Sequence, residues 1–163
     1  PLIIAPASIP VCPITPGCTA EMLEHMETCV YALKPARIFL NIGTNDMNPA
    51  DYRKEELMAR YEKMVQEILA YLPGVQLTLL AYYPVNHEAA PDDSWFFYRT
   101  NERIHEANEA VEALAEKYHL GFLDLNAPLT DENGKLKVEF TIDGVHMYPN
   151  GYWEVWKELI AVL

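Results

Sequence analysis

The run Arg37-Ile38-Phe39-Leu40-Asn41-Ile42 leads straight into Gly43-Thr44-Asn45-Asp46, and a long amphipathic stretch follows from about Lys54. A short, mostly apolar run ending at a glycine suits a strand buried on both faces of a parallel sheet. In the stretch after it, Leu57, Tyr61, Met64, Val65, Ile68 and Leu72 line one helical face until Pro73-Gly74 stops it. Val75 to Tyr82 then reads as a second strand, broken by Pro84. Upstream, Thr19 is placed to cap a helix whose apolar positions Leu23, Met26, Val30 and Leu33 recur at helical spacing before Lys34-Pro35 closes it. Downstream, Val85 to Ser94 is a loop, and Ile104, Ala107, Val111, Leu114 and Tyr118 mark another helix that Gly121 ends. Gly121 to Leu125 gives a third strand, Asp131 to Gly134 a turn, and Pro149 or Asn150 opens a last helix carrying Trp153, Trp156 and Ile160. Alternation of this kind predicts an α/β fold, a three-layer α/β/α sandwich about a parallel sheet. Ligands bind such sheets beyond the carboxyl ends of the strands, which directs attention to the residues after Ile42, Tyr82 and Leu125.

The chain has 163 residues, enough for one domain over 1–163 with a single sizeable core. Half of its residues are hydrophobic, as in a folded protein rather than a disordered one. Lys and Arg number 12 against 24 Asp and Glu, so 12 − 24 gives a net charge of −12. A surface of that sign repels phosphate backbones and anionic headgroups, which argues against nucleic acid or a membrane as partner and leaves neutral small molecules open. No apolar run reaches the length of a membrane span. The apolar opening from Pro1 to Pro16 is proline-rich and lacks a basic start, unlike an export signal. Cys12, Cys18 and Cys29 are an odd number without metal-type spacing, so no disulfide scaffold is expected and a reducing cytoplasm is the simplest home.

Two short motifs stand at the expected strand ends: Gly43-Thr44-Asn45-Asp46 and, ahead of the last helix, Asp143-Gly144-Val145-His146. A third element, Pro16-Gly17-Cys18-Thr19, opens the first helix. Each alone has an ordinary structural explanation, as a turn or a helix cap. Together and in this order they resemble the blocks of the SGNH (GDSL-type) hydrolases, serine esterases and lipases on a flavodoxin-like sheet. Gly17 matches the second block, Gly43 to Asp46 the third and Asp143 to His146 the fifth. The resemblance runs from about Val11 to the C-terminus.

It implies a serine ester hydrolase acting on a small neutral acyl ester through an acyl-enzyme, with no cofactor. A hydroxyl nucleophile needs an imidazole base, and the imidazole needs a carboxylate that fixes its tautomer. By resemblance His146 is the base, Asp143 its orienting partner, and Gly17 and Asn45 donors to the oxyanion. The nucleophile block, Gly-Asp-Ser, is absent. Ser94 looks like a cap or loop residue, and Ser8 lies in Leu2-Ile3-Ile4-Ala5-Pro6-Ala7-Ser8, where Pro-Ala-Ser stands in place of the motif. A parallel crossover needs a dozen or more residues, more than separate Ala5 from Val11. Either Val11 to Ile14 is the strand before Gly17, with the nucleophile's strand-helix unit expected upstream of Pro1, or Leu2 to Ala5 is the nucleophile strand and the next unit is deleted.

Asp46 and His87 are the remaining candidate substrate contacts, with Tyr82, Tyr83, Trp95, Phe96 and Phe97 as a possible platform or aromatic core. Cys18 is expected to be a small buried thiol, and His25, His105 and His119 surface residues. Asp143 and His146 supply only two ligands, too few for a metal site. The competing functions are a non-catalytic binding or structural protein of the same fold and, last, a flavodoxin-like nucleotide binder, for which no glycine-rich phosphate loop is present.

Overall fold

Three strands pair in parallel in the order β1-β2-β3: β1 (Arg37–Leu40), β2 (Gln76–Leu80) and β3 (Gly121–Leu123). They belong to a computed structural model that describes residues 18–91 and 95–162. Ser8, Gly17, Cys12, Ser94 and both candidate strands before Pro16 lie outside the described residues. The helices are α1 (Thr19–Glu24), α2 (Met26–Cys29), α3 (Lys54–Tyr71), α4 (Asn101–Tyr118) and α5 (Pro149–Ala161). Short 3₁₀ turns occupy Thr44–Met47, His87–Ala89 and Val138–Phe140.

Strand side chains alternate between two cores, because successive residues point to opposite faces. Ile38, Leu40, Leu77 and Leu79 pack with Met22, Leu57, Met64, Ile68, Ile104 and Val111 on the α1, α3 and α4 side. Phe39 and Leu80 face the other way, onto Leu125, Leu129, Leu136, Met147, Val155 and Leu159 around α5. The strands step in one direction, and right-handed crossovers repeated that way put α3 and α4 on one face. The outcome is the α/β layering expected from the alternation. Two tyrosine tips inside the larger core are satisfied: the Tyr61 hydroxyl donates to Leu40 O at 3.1 Å and the Tyr82 hydroxyl to Ile42 O at 2.8 Å. Both bonds hold the end of β1 where the Gly43 turn begins.

Several local expectations are corrected. The first helix breaks at His25 into α1 and α2, and a 3₁₀ turn with left-handed Lys34 closes the segment. Cys18, not Thr19, is the N-cap residue of α1 and makes no side-chain cap bond; Asp46, 27 residues away, accepts from the Thr19 N–H instead. His119 in the left-handed region ends α4, because histidine tolerates that conformation better than most residues and its N–H bonds back to the last turn. Gly121 opens β3, as expected for the third strand. On α5 the buried stripe is Gly151, Val155 and Leu159, at four-residue spacing, which leaves Trp153 and Ile160 exposed on the opposite side. Cys29 is buried and disulfide-bonded, with its partner outside the described residues, while Cys18 is free and half-buried. No helix among the described residues is long and apolar enough to cross a membrane.

Candidate active site

Beyond β1, Gly43 takes φ +113, a region closed to most side chains, and a Cβ there would lie 2.8 Å from the Tyr82 hydroxyl and 2.9 Å from Leu57 Cδ1. Glycine is therefore required both by the turn and by the packing beneath it. The 3₁₀ turn that follows distributes its side chains to different elements. Asn45, exposed, accepts from Arg99 Nη2 through Oδ1 at 2.6 Å. Asp46 accepts from the Thr19 N–H at 2.8 Å, the Thr19 hydroxyl at 2.7 Å and Arg60 Nη2 at 2.9 Å. Its side chain is 5% exposed. The carboxylate is thus committed to the start of α1 and to α3, rather than turned toward a substrate. Asn48 Nδ2 donates to Trp95 O, and Met47 O accepts from Arg103.

The second motif folds on itself. Thr141 and Met147 form an antiparallel bridge that closes the loop, and the buried Thr141 hydroxyl both donates to His146 O at 3.0 Å and accepts from Gly144 N at 2.8 Å. Asp143 Oδ1 accepts from the backbone N–H of Val145 at 3.1 Å and of His146 at 2.8 Å, leaving Oδ2 for the ring. Gly144, at φ +89, donates no space: a Cβ would sit 2.3 Å from Asn86 O. Asn86 N in turn donates to Gly144 O at 2.8 Å, pinning the loop to the segment after β2.

His146 Nδ1 lies 2.8 Å from Asp143 Oδ2. An ionised carboxylate only accepts, so Nδ1 donates in this contact and Nε2 is left on the far side of the ring. The ring is 64% exposed and stacks on Trp95 with centroids 5.5 Å apart at 6°. Burial works to raise the Asp143 pKa, but the hydrogen bonds from the His146 ring and from the two backbone N–H groups outweigh it and hold the carboxyl below its ordinary value. Arg99 joins the two motifs. Its guanidinium bonds Asn45, lies 5.7 Å from the centre of the Trp95 ring and feels the charge of Asp143.

His87 is half-buried, packed on Phe96 at 4.5 Å, with Nε2 3.0 Å from Arg99 O. It braces the Arg99 segment. Tyr82 and Phe96 are core, Tyr83 is half-buried, and Trp95 and Phe97 are exposed. His105 and His119 are at the surface and His25 is half-buried. Among the described residues no three His, Cys, Asp or Glu side chains converge as metal ligands. Two surface clefts, one by Lys34 and Pro73 and one by Arg37, Gln76 and Gly121, lie at the amino ends of the strands, opposite the Asp143–His146 pair. Nothing in the sequence singles out Arg99: an arginine a few residues after the loop carries no spacing signal, and its partner is 54 positions away.

The model of the GDSL-like Lipase/Acylhydrolase family matches residues 15–154. A solved structure from Streptococcus pneumonia, described provisionally as a platelet activating factor, is 32% identical with a TM-score of 0.81, covering 89% of this chain and 67% of that one. Axe2, an acetylxylan esterase from Geobacillus stearothermophilus, is alike in fold, with a TM-score of 0.67 at 18% identity over 88% of this chain and 66% of its own. An N-acylneuraminate cytidylyltransferase from Escherichia coli O18:K1:H7 (strain RS218 / NMEC) is 27% identical over 127 residues, 77% of this chain. The chain spans only 28% of that relative's length. With a family match over most of its length and two of the motifs folded into strand-end loops around one arginine, the chain belongs to the GDSL-like lipase/acylhydrolase family.

Proposed function

We propose that the chain is a serine ester hydrolase that cleaves a small neutral acyl ester through an acyl-enzyme. The observation that carries this is the 2.8 Å contact between His146 Nδ1 and Asp143 Oδ2, with Nε2 making no hydrogen bond among the described residues. In the reaction, Nε2 takes the proton of the serine hydroxyl as Oγ attacks the ester carbonyl. The imidazolium, stabilised by Asp143, then returns that proton to the leaving alcohol. Water attacks the acyl-enzyme by the same route, releasing the acid. Asn45 Nδ2 and the backbone N–H of Gly17 donate to the tetrahedral oxyanion. The net charge of −12 favours neutral over anionic esters and argues against nucleic acid or an anionic membrane as partner. The acetylxylan esterase likeness supports a short acyl group.

A fluorophosphonate probe followed by mass spectrometry tests this. Serine labelling that disappears in His146→Ala is the expected result, and it falls on Ser8 if Leu2 to Ala5 is the nucleophile strand. A folded chain that takes up no probe would instead support the non-catalytic alternative.

A further inference from the structure

The proposed hydrolysis uses the His146 imidazole, the Asp143 carboxylate, a serine hydroxyl and the Asn45 and Gly17 N–H donors, and leaves Arg99 without a task. Yet Arg99 is 2% exposed, the largest of the fully buried side chains among the described residues. Burying a guanidinium costs several kcal/mol unless partners replace its water. Its Nε has no hydrogen-bond partner among the described residues, whose arrangement therefore does not satisfy the arginine for its own sake. What they do arrange is the 2.6 Å bond from Nη2 to Asn45 Oδ1.

The chemistry of the two groups makes that bond directional. A carboxamide presents an acceptor on one side and two donors on the other, and the two orientations are nearly equal in shape. Arginine has donors and no acceptor, so only the oxygen of Asn45 can face it. Nδ2 is consequently turned away from the buried guanidinium, on a residue that is exposed, and it makes no hydrogen bond among the described residues. Accepting from a charged donor also polarises the amide and strengthens Nδ2–H as a donor. Arg99 is itself fixed: its N–H donates to Phe96 O at 2.8 Å and its carbonyl accepts from His87 Nε2 at 3.0 Å.

We infer that Arg99 is a positioning residue, whose buried guanidinium locks the Asn45 carboxamide with Nδ2 toward the oxyanion, while His87 anchors the Arg99 backbone. The catalytic meaning of the lock rests on the oxyanion role proposed for Asn45; the lock itself does not.

Two measurements on the whole chain separate them. In the first, NMR relaxation of the ¹⁵N-labelled protein gives the order parameter of the Asn45 side-chain amide, which needs no turnover. It is expected near the rigid-backbone value of about 0.85 in the parent, and below about 0.6 in Arg99→Met with the Asn45 backbone N–H unchanged. Arg99→Lys, which keeps a donor-only cation and serves if the methionine variant does not fold, is expected to retain more of the order. An amide as ordered in Arg99→Met as in the parent, or equally loosened in both variants together with the backbone, overturns the inference.

In the second, a double-mutant cycle follows p-nitrophenyl acetate hydrolysis. Asn45→Ala is expected to lower kcat by about 10²- to 10³-fold, and Arg99→Met to lower it by up to that factor with KM little changed. The double variant should be no slower than Asn45→Ala. Factors that multiply would show Arg99 acting independently of Asn45 and overturn the inference. A parent-like kcat in Asn45→Ala would sink the proposed oxyanion role, while the amide order parameter would still decide the lock.

Discussion

The two loops that meet at Arg99 are built in opposite ways. The turn after Gly43 is held from outside: Asn45 by Arg99, Asp46 by Thr19 and Arg60, Met47 O by Arg103, partners 14 to 56 positions away. The Asp143–His146 loop holds itself, with Thr141, Asp143, Gly144 and His146 bonded to one another within five positions. One is a junction whose geometry the whole domain supplies; the other is a prefabricated unit attached through Asn86 and Trp95. Damage to the frame should therefore reach the first loop, whereas the second should respond mainly to changes in its own residues.

The largest expected effect lies in the self-contained loop. His146→Ala should lower ester hydrolysis by about 10⁴-fold, the upper range for a lost general base, in steady-state kinetics. Because the ring is 64% exposed, the urea midpoint of the same variant should barely move. A large loss of stability would mean that the loop is part of the frame after all.

Next is the junction. Asp46→Ala removes a carboxylate whose side chain is 5% exposed and strands both the Thr19 N–H and Arg60. Urea unfolding should report a loss of about 3 kcal/mol, toward the lower end for a broken buried pair because Arg60 is itself a third exposed. Were Asp46 a substrate contact instead, KM would rise and stability would hold.

Smaller still is the pH response of Asp143. Its pKa in the folded chain is depressed, so the stabilisation is fully present above the ordinary aspartate pKa of about 4. It disappears as pH falls from there through the lower folded value. Against Asp143→Asn, the parent should show an additional loss of under about 1 kcal/mol across that acid window in urea titrations. Equal slopes would mean that the carboxylate contributes nothing to folding.

The smallest effect concerns the contact between the loop and the aromatic segment. Trp95→Ala removes the ring stacked on His146 and should cost about 1 kcal/mol in the kcat/KM free energy, with Trp95→Phe recovering part of it. No change in either variant would make the stack incidental.

The same contrast explains what could be read from sequence. Asp143 and His146 are three positions apart, and their bond is made within one turn, so a local pattern is enough to expose it. The strands and long helices were legible for a similar reason, since period and punctuation are local properties. The scaffold partners of Asp46, Thr19 and Arg60, lie on two different helices, and nothing near it in the chain announces them. Arg99 was missed because its significance is entirely in what it touches. On α5, packing favours Gly151 over the larger Trp153 and Ile160 for the buried face, because close approach to Phe140 and Met147 requires a small residue. The end of α4 was assigned to a glycine two positions too late, because a histidine can take the left-handed turn.

Asn45 and Asp46 have side chains of nearly identical size and shape, standing next to each other on one turn. A chain with the two exchanged, Asn45→Asp with Asp46→Asn, would have the identical composition and mass, the same charge and the same hydropathy. In it Arg99 would face a carboxylate and form a buried ion pair, with no N–H left to offer at the surface. Arg60 and Thr19 would meet a neutral amide, half of which repels their donors. Order within a single dipeptide thus separates the amide left at the surface from the carboxylate turned to the scaffold, a distinction that neither composition nor molecular outline would register.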